Sequence, residues 1–247
     1  MAFPTITATN TTNGTTASAN QVVNLPATVN AGETLLVFLR SAGASGNGVH
    51  TYPAGWTKLF DIGSIDQTSM AWKKADGTEG GTTITITVTG GNTKFAALSW
   101  SIAGATDPTV TPPEDSAAAS GNSTSPDPAI VTPTGGAKDY LWLAVMGIQG
   151  EQTSPPTFPA NYTISQIAAD SGVAGLPTTN VRVAGAKRTD LNAASEDPGA
   201  FTVSAADEWR AFAVAVHPAG AAEAMTVDKW GQPIEQPYPD KLGVASY

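Results

Sequence analysis

The sequence predicts an all-β protein made of two tandem, related β-sandwiches, jelly-roll-like, followed by an extended C-terminal arm. Three observations predict it. Short apolar or alternating stretches recur at roughly ten-residue spacing between Gly- and Pro-rich turns, the pattern of sandwiches and jelly rolls. No stretch of about ten or more residues carries a convincing helical period. The third observation is a repeat: Tyr52-Pro53-Ala54-Gly55-Trp56-Thr57 returns 106 residues later as Phe158-Pro159-Ala160-Asn161-Tyr162-Thr163. Each position keeps its chemical type: aromatic, Pro, Ala, a residue tolerant of positive φ, aromatic, Thr.

The repeat extends both ways. Glu33–Leu39 lies over Asp139–Val145 at the same offset. Downstream, Ala71–Asp76 lies over Gly185–Asp190, and Thr87–Asn92 over Thr202–Asp207. Both copies close on an apolar run, Phe95–Ile102 and Ala211–Val216. The growing offset places longer loops near 170–180 and 191–198 in the second copy. The predicted units are 1–106, 107–218 and an arm, 219–247. Pro53, Trp56, Pro159 and Tyr162 read as one structural corner built twice, with the turn launching a strand and the aromatic sealing its sandwich.

In chain order, Thr5–Thr9 alternates as a strand, Asn10–Asn20 reads as a polar loop, and Gln21–Leu25 is a short strand stopped by Pro26. Thr34–Ser41 and Asp139–Ile148 each hold a continuous apolar run, Leu35–Leu39 and Tyr140–Ile148, and are expected to be strands buried on both faces. Trp56–Ile62 and Ser69–Lys74 follow the first run, then a turn at Asp76–Gly81. Thr82–Thr89 alternates most cleanly, with Ile84, Ile86 and Val88 on one face and threonines on the other. Residues 103–128 read as a linker leading into the second copy. There Ala129–Val131, Thr163–Ala168, Val181–Lys187, Ala200–Ser204 and Glu208–His217 are the remaining strands.

The arm differs in character. Residues 228–240 hold Pro233, Pro237 and Pro239, which favour an extended path and exclude a helix. Trp230, Ile234, Tyr238, Leu242 and Tyr247 are more apolar than a solvated tail requires. They are the predicted partner-binding residues, docked on this chain or a neighbouring subunit.

Composition excludes several functions. The chain has no Cys, so it offers no disulfide framework, thiolate metal site or cysteine nucleophile. Net charge is −9, and the excess acid lies in 107–247, with sixteen acids against seven bases. An acidic chain without a basic cluster argues against nucleic-acid binding and against anionic membrane surfaces. The first residues lack the basic and apolar regions of an export signal, and the longest apolar run, Tyr140–Ile148, is far shorter than a membrane helix.

Catalytic chemistry is sparse. The two histidines, His50 and His217, have no metal-ligand spacing and read as structural. Ala42–Gly48 comes nearest to a nucleophile elbow, but Asn47 stands where glycine is needed. The acid pairs Glu114-Asp115, Glu196-Asp197 and Asp207-Glu208 fall in predicted turns. Asp61, Asp66, Asp76 and Glu79 offer oxygens for calcium without the spacing of a calcium loop, so no metal or cofactor is expected. Trp56, Trp72, Trp100, Trp142 and Tyr162 could stack on sugars if exposed, although recurrence at the repeat favours a core role.

Ala31–Val37, Pro53–Phe60, Lys74–Gly81 and Ser123–Pro128 together resemble a module of structural proteins in tailed bacteriophages. The resemblance covers roughly 20–218. It implies a non-enzymatic virion component made in the host cytoplasm; size and form, a two-sandwich body with a short aromatic arm and no long fibrous repeat, favour a capsid decoration or cement protein. Its implied partners are the major capsid protein or other virion proteins, or further copies of this chain. The alternative is a carbohydrate-binding adhesin of a tail fibre or capsid surface that recognises host glycans.

Overall fold

The computed structural model describes residues 3–42, 48–63, 66–172, 180–188 and 191–220. Among them no residue is helical and every strand pairing is antiparallel, as expected for an all-β sandwich protein.

The first unit contributes β1 (Thr5–Ser18), β2 (Asn20–Asn24), β3 (Thr34–Ser41), β4 (His50–Thr51), β5 (Thr57–Ile62), β6 (Gln67–Lys74), β7 (Thr83–Val88) and β8 (Thr93–Ala103). The second contributes β9 (Glu114–Asp115), β10 (Ala119–Ser123), β11 (Lys138–Asp139), β12 (Leu141–Gln149), β13 (Ile164–Asp170), β14 (Val181–Arg188), β15 (Asn192–Ala193) and β16 (Asp207–Val216). One principal sheet runs β1-β8-β3-β6-β5. The other runs β10-β16-β12-β14-β13, with β9 also on β16. The two orders correspond strand for strand, with β9 and β10 together in the place of β1.

Two readings of polar segments need correction. The predicted loop Asn10–Asn20 is mostly strand, because β1 continues to Ser18 as the edge partner of β8. The small polar stretch Ser116–Ser125 contains β10. An edge strand can expose one face, so Thr, Asn and Ser serve where local propensity suggested a loop. In both edges a glycine admits an aromatic ring. A Cβ on Gly14 would lie 2.2 Å from the Phe95 ring, and one on Gly121 would lie 2.6 Å from Trp209.

Each unit has a core of its own. In the first, β2-β7-β4 covers the outer face of the principal sheet, enclosing Val23, Leu25, Val37, Leu39, Ile86 and Phe95. In the second, Tyr140, Trp142, Met146, Tyr162, Phe201 and Val203 fill the outer face. The two-stranded sheet β11-β15 and the bridges Thr157↔Thr202 and Val131↔Glu196 stand there in place of a three-stranded sheet. A third core joins the units. Leu36, Phe38, Leu98, Trp100 and Ile102 pack with Leu141, Leu143, Val145, Phe212 and Val214 between the principal sheets. The principal sheets divide near residue 106, and the core between them makes their packing continuous. β3 and all of β12 except Gln149 are buried throughout for this reason: each lies inside its sheet with packing on both faces.

The ladders also correct the repeat by one residue. The row Phe60, Met70, Phe38, Leu98 across one sheet matches Ile167, Gly185, Val145, Phe212 across the other. Phe38 thus corresponds to Val145, not to Ala144 as sequence similarity laid it. Both edge strands carry an irregularity at the same place, between Lys58 and Phe60 and between Ile164 and Ile167. A one-residue slip exchanges the faces of a strand. With both faces apolar, the sequence held no polar alternation to show it.

Candidate functional site

The repeat corners are local turns. Trp56 N donates to Pro53 O at 3.3 Å, and Tyr162 N to Pro159 O at 2.9 Å. Gly55 has φ +88, whereas Asn161 does not take a positive φ, so the two copies build their turns differently. Behind each corner stands a mostly buried glutamate with a cation. Lys73 Nζ lies 2.7 Å from Glu79 Oε1, and Arg188 NH1 lies 2.8 Å from Glu196 Oε1. Burial pushes the Glu79 carboxyl up, but Lys73 and turn amides outweigh it and hold it below the ordinary range. Tyr162 is fully buried, its hydroxyl held well above the usual range by burial first and then by Glu196. Trp56 is partly buried and tilted against Tyr52, with ring centroids 6.2 Å apart.

The strand aromatics are mostly core. Trp100, Trp142 and Tyr162 are fully buried, while Trp56 and Trp72 keep partial exposure. The proposed sugar platform therefore lacks three of its five rings.

The densest polar constellation was missed as a group by sequence reasoning, because its members come from β2, β3, β4, β6 and β8. His50, Ser41, Ser69 and Gln21 are all fully buried. Ser41 Oγ donates to Gln21 Oε1 at 2.8 Å and lies 2.7 Å from His50 Nε2. His50 Nδ1 lies 2.7 Å from Ser69 Oγ, which lies 2.9 Å from Tyr52 OH. Gln21 Nε2 donates to Thr93 Oγ1 at 2.8 Å. Asp61 Oδ1 lies 3.9 Å from His50 Nδ1, and Asp61 Oδ2 accepts from Lys58 Nζ at 2.8 Å.

Ser, His and Asp in proximity invite comparison with a nucleophilic triad, but the proton direction is opposite. A nucleophilic serine gives its proton to histidine. Here the Ser41 hydrogen is used on Gln21, so Ser41 accepts from His50 Nε2–H. Nδ1 is then the acceptor, taking the Ser69 hydrogen, and Ser69 accepts from Tyr52. The chain runs one way from Tyr52 to Thr93 and satisfies a neutral imidazole. Burial pushes the His50 pKa down to about 4, with Asp61 opposing.

The unfolded imidazole has a pKa near ~6.5 and binds a proton that the folded one refuses until about pH 4. The His50 contribution is therefore present near neutrality and is lost as pH falls through 6.5 toward 4, with an upper bound of about 3 kcal/mol. Asp115 works oppositely. Burial raises its pKa to about 6, so its carboxyl favours the folded state at low pH and ceases to as pH rises from 4 to 6. Comparing His50→Gln with its parent isolates the first effect. The loss in urea-unfolding free energy should be largest near neutral pH and shrink toward acid; a loss independent of pH would sink the account.

The four carboxylates considered for calcium have other partners. Asp66 pairs with Arg40, Asp61 with Lys58, Glu79 with Lys73, and Asp76 accepts from Thr78. No group of three or more His, Asp or Glu suited to a metal occurs among the described residues. At the exit of the second unit, His217 Nε2 lies 2.7 Å from Glu114 Oε1 and its ring meets Tyr140 edge-on. In the ladders Val216 holds the place that Ile102 holds in the first unit, and His217 follows it.

A groove of about 230 Å³ opens at the seam between the units, lined by Asn13, Pro155, Pro156, Ala168, Ala169, Asp170 and Arg182. Asn13 Oδ1 accepts from Asp170 N at 3.0 Å across the seam. The arm residues Trp230, Ile234, Tyr238, Leu242 and Tyr247 lie outside the described residues, as do 43–47 of the elbow-like stretch and 173–179 of the enlarged loop. No family of known proteins, no curated protein and no solved structure matches the chain.

Proposed function

We propose that the chain is a non-enzymatic structural protein of a bacteriophage virion, a decoration or cement protein held on the capsid through its C-terminal arm. The observation that carries this reading is the use of reactive groups inside the body. In the one Ser-His-Asp constellation among the described residues, Ser41 and His50 are sealed from solvent, and their protons run against nucleophile activation. The shared core supports the reading further, since it makes two sandwiches into one stiff platform. Glycan recognition by the strand aromatics is the weaker reading, because most of those rings are buried.

The arm would engage a capsid partner through Trp230, Ile234, Tyr238, Leu242 and Tyr247, for instance by adding a strand to an exposed sheet edge. Deleting 226–247 should abolish attachment to particles while the circular dichroism of the body stays unchanged. Full occupancy by the truncated protein would refute the role of the arm.

A further inference from the structure

We propose that the groove at the seam is the seat of Trp230 from the same chain, so that the arm is stowed along the body when no partner is engaged. The starting point is where the described chain ends. Ala219 N donates to Gly104 O at 2.8 Å, and Pro218 bridges Ala105. This root lies beside the start of β1, since Thr5 pairs with Ala103. Asn13 lines the groove eight residues further along the same strand. At about 3.4 Å per residue, the groove lies about 27 Å from the root. An extended chain covers at most about 3.3–3.6 Å per residue. The ten residues from Gly220 to Trp230 therefore reach it, and Trp230 is the first aromatic after the root.

The chemistry of the groove suits an indole. Its volume of about 230 Å³ is on the scale of one large aromatic side chain. Pro155, Pro156, Ala168 and Ala169 give apolar walls, and beside them Asn13 Oδ1 and Asp170 Oδ1 each accept one bond, from Asp170 N and Gly172 N, and keep a second lone pair. An indole brings one N–H donor and no acceptor, so an apolar slot with acceptors at its side satisfies it fully. Arg182 is already committed to Asp170 Oδ2 and to the carbonyls of Ser154 and Gln152. It stiffens the wall. The inference is independent of the virion reading: it concerns the free protein, and a failure of particle attachment leaves it standing.

Hydrogen exchange by mass spectrometry on the full chain tests it. Trp230→Ala and a chain ending at Gly220 should both speed exchange in 164–170, by about tenfold or more, with the core strands unchanged. Ala168→Arg, at an exposed edge position, should speed exchange in the peptide containing Trp230. Equal exchange at 164–170 in the parent and Trp230→Ala overturns the proposal. Protection that disappears on dilution also overturns it, because the occupant would then be a second copy.

Discussion

Replacing Asp66 by Ala should lower the unfolding free energy by about 3–5 kcal/mol, the cost of leaving a buried charge without its partner. The charge is Arg40, whose side chain is wholly buried, as is that of Asp66. Its NH2 donates to Asp66 Oδ2 at 3.1 Å and to Glu208 O at 3.0 Å, and NH1 donates to Thr68 Oγ1 at 3.0 Å. The guanidinium thus reaches from β3 of one unit to the backbone of the other. The crossing depends on Gly147, where a Cβ would come within 2.7 Å of Arg40 Cδ. Removing both charges together, Arg40→Met with Asp66→Leu, should cost much less than removing Asp66 alone, because no ion is then stranded. Denaturant titration of the parent, the single variant and the double variant measures both differences. A loss under about 1 kcal/mol for Asp66→Ala would mean that water reaches the pair.

Phe212→Ala should cost about 3–5 kcal/mol, through lost transfer energy and the cavity left behind. Its ring stacks on Phe60 at 3.8 Å between centroids, 14° from parallel. Phe60 belongs to the first unit and Phe212 to the second, so the cavity opens in the core they share. The expected result is one cooperative transition at lower denaturant, coincident by far-ultraviolet circular dichroism and by tryptophan fluorescence. Independent sandwiches would behave otherwise. Two separated transitions, with only the second unit weakened, would show that the interface between the principal sheets is not structural.

Much of the fold was legible locally. The alternation of Thr82–Thr89 marked a half-buried strand, and β7 shows Thr83, Thr85 and Thr87 exposed over Ile86 and Val88. The apolar runs at 35–39 and 140–148 marked strands covered on both sides, although nothing local said what covered them. The candidate site was much less legible. His50 could be assigned a structural role from its isolation, but Ser41, Ser69 and Gln21 lie on separate strands and carry no spacing signal. The polar stretches that became β1 and β10 were misread for a related reason. A Thr- and Asn-rich segment becomes an edge strand only when a partner such as β8 or β16 presents its ladder.

By itself, the sequence determined the all-β class and the two central strands destined for burial. These follow from composition, periodicity and turn chemistry, which act over a few residues. Only the tertiary structure decided the one-residue register between the copies, the core joining them, the direction of protons around His50, and the passage of Arg40 over Gly147. Each of these depends on which faces meet across long separations in the chain. A strand apolar on both faces does not encode that choice, and packing makes it.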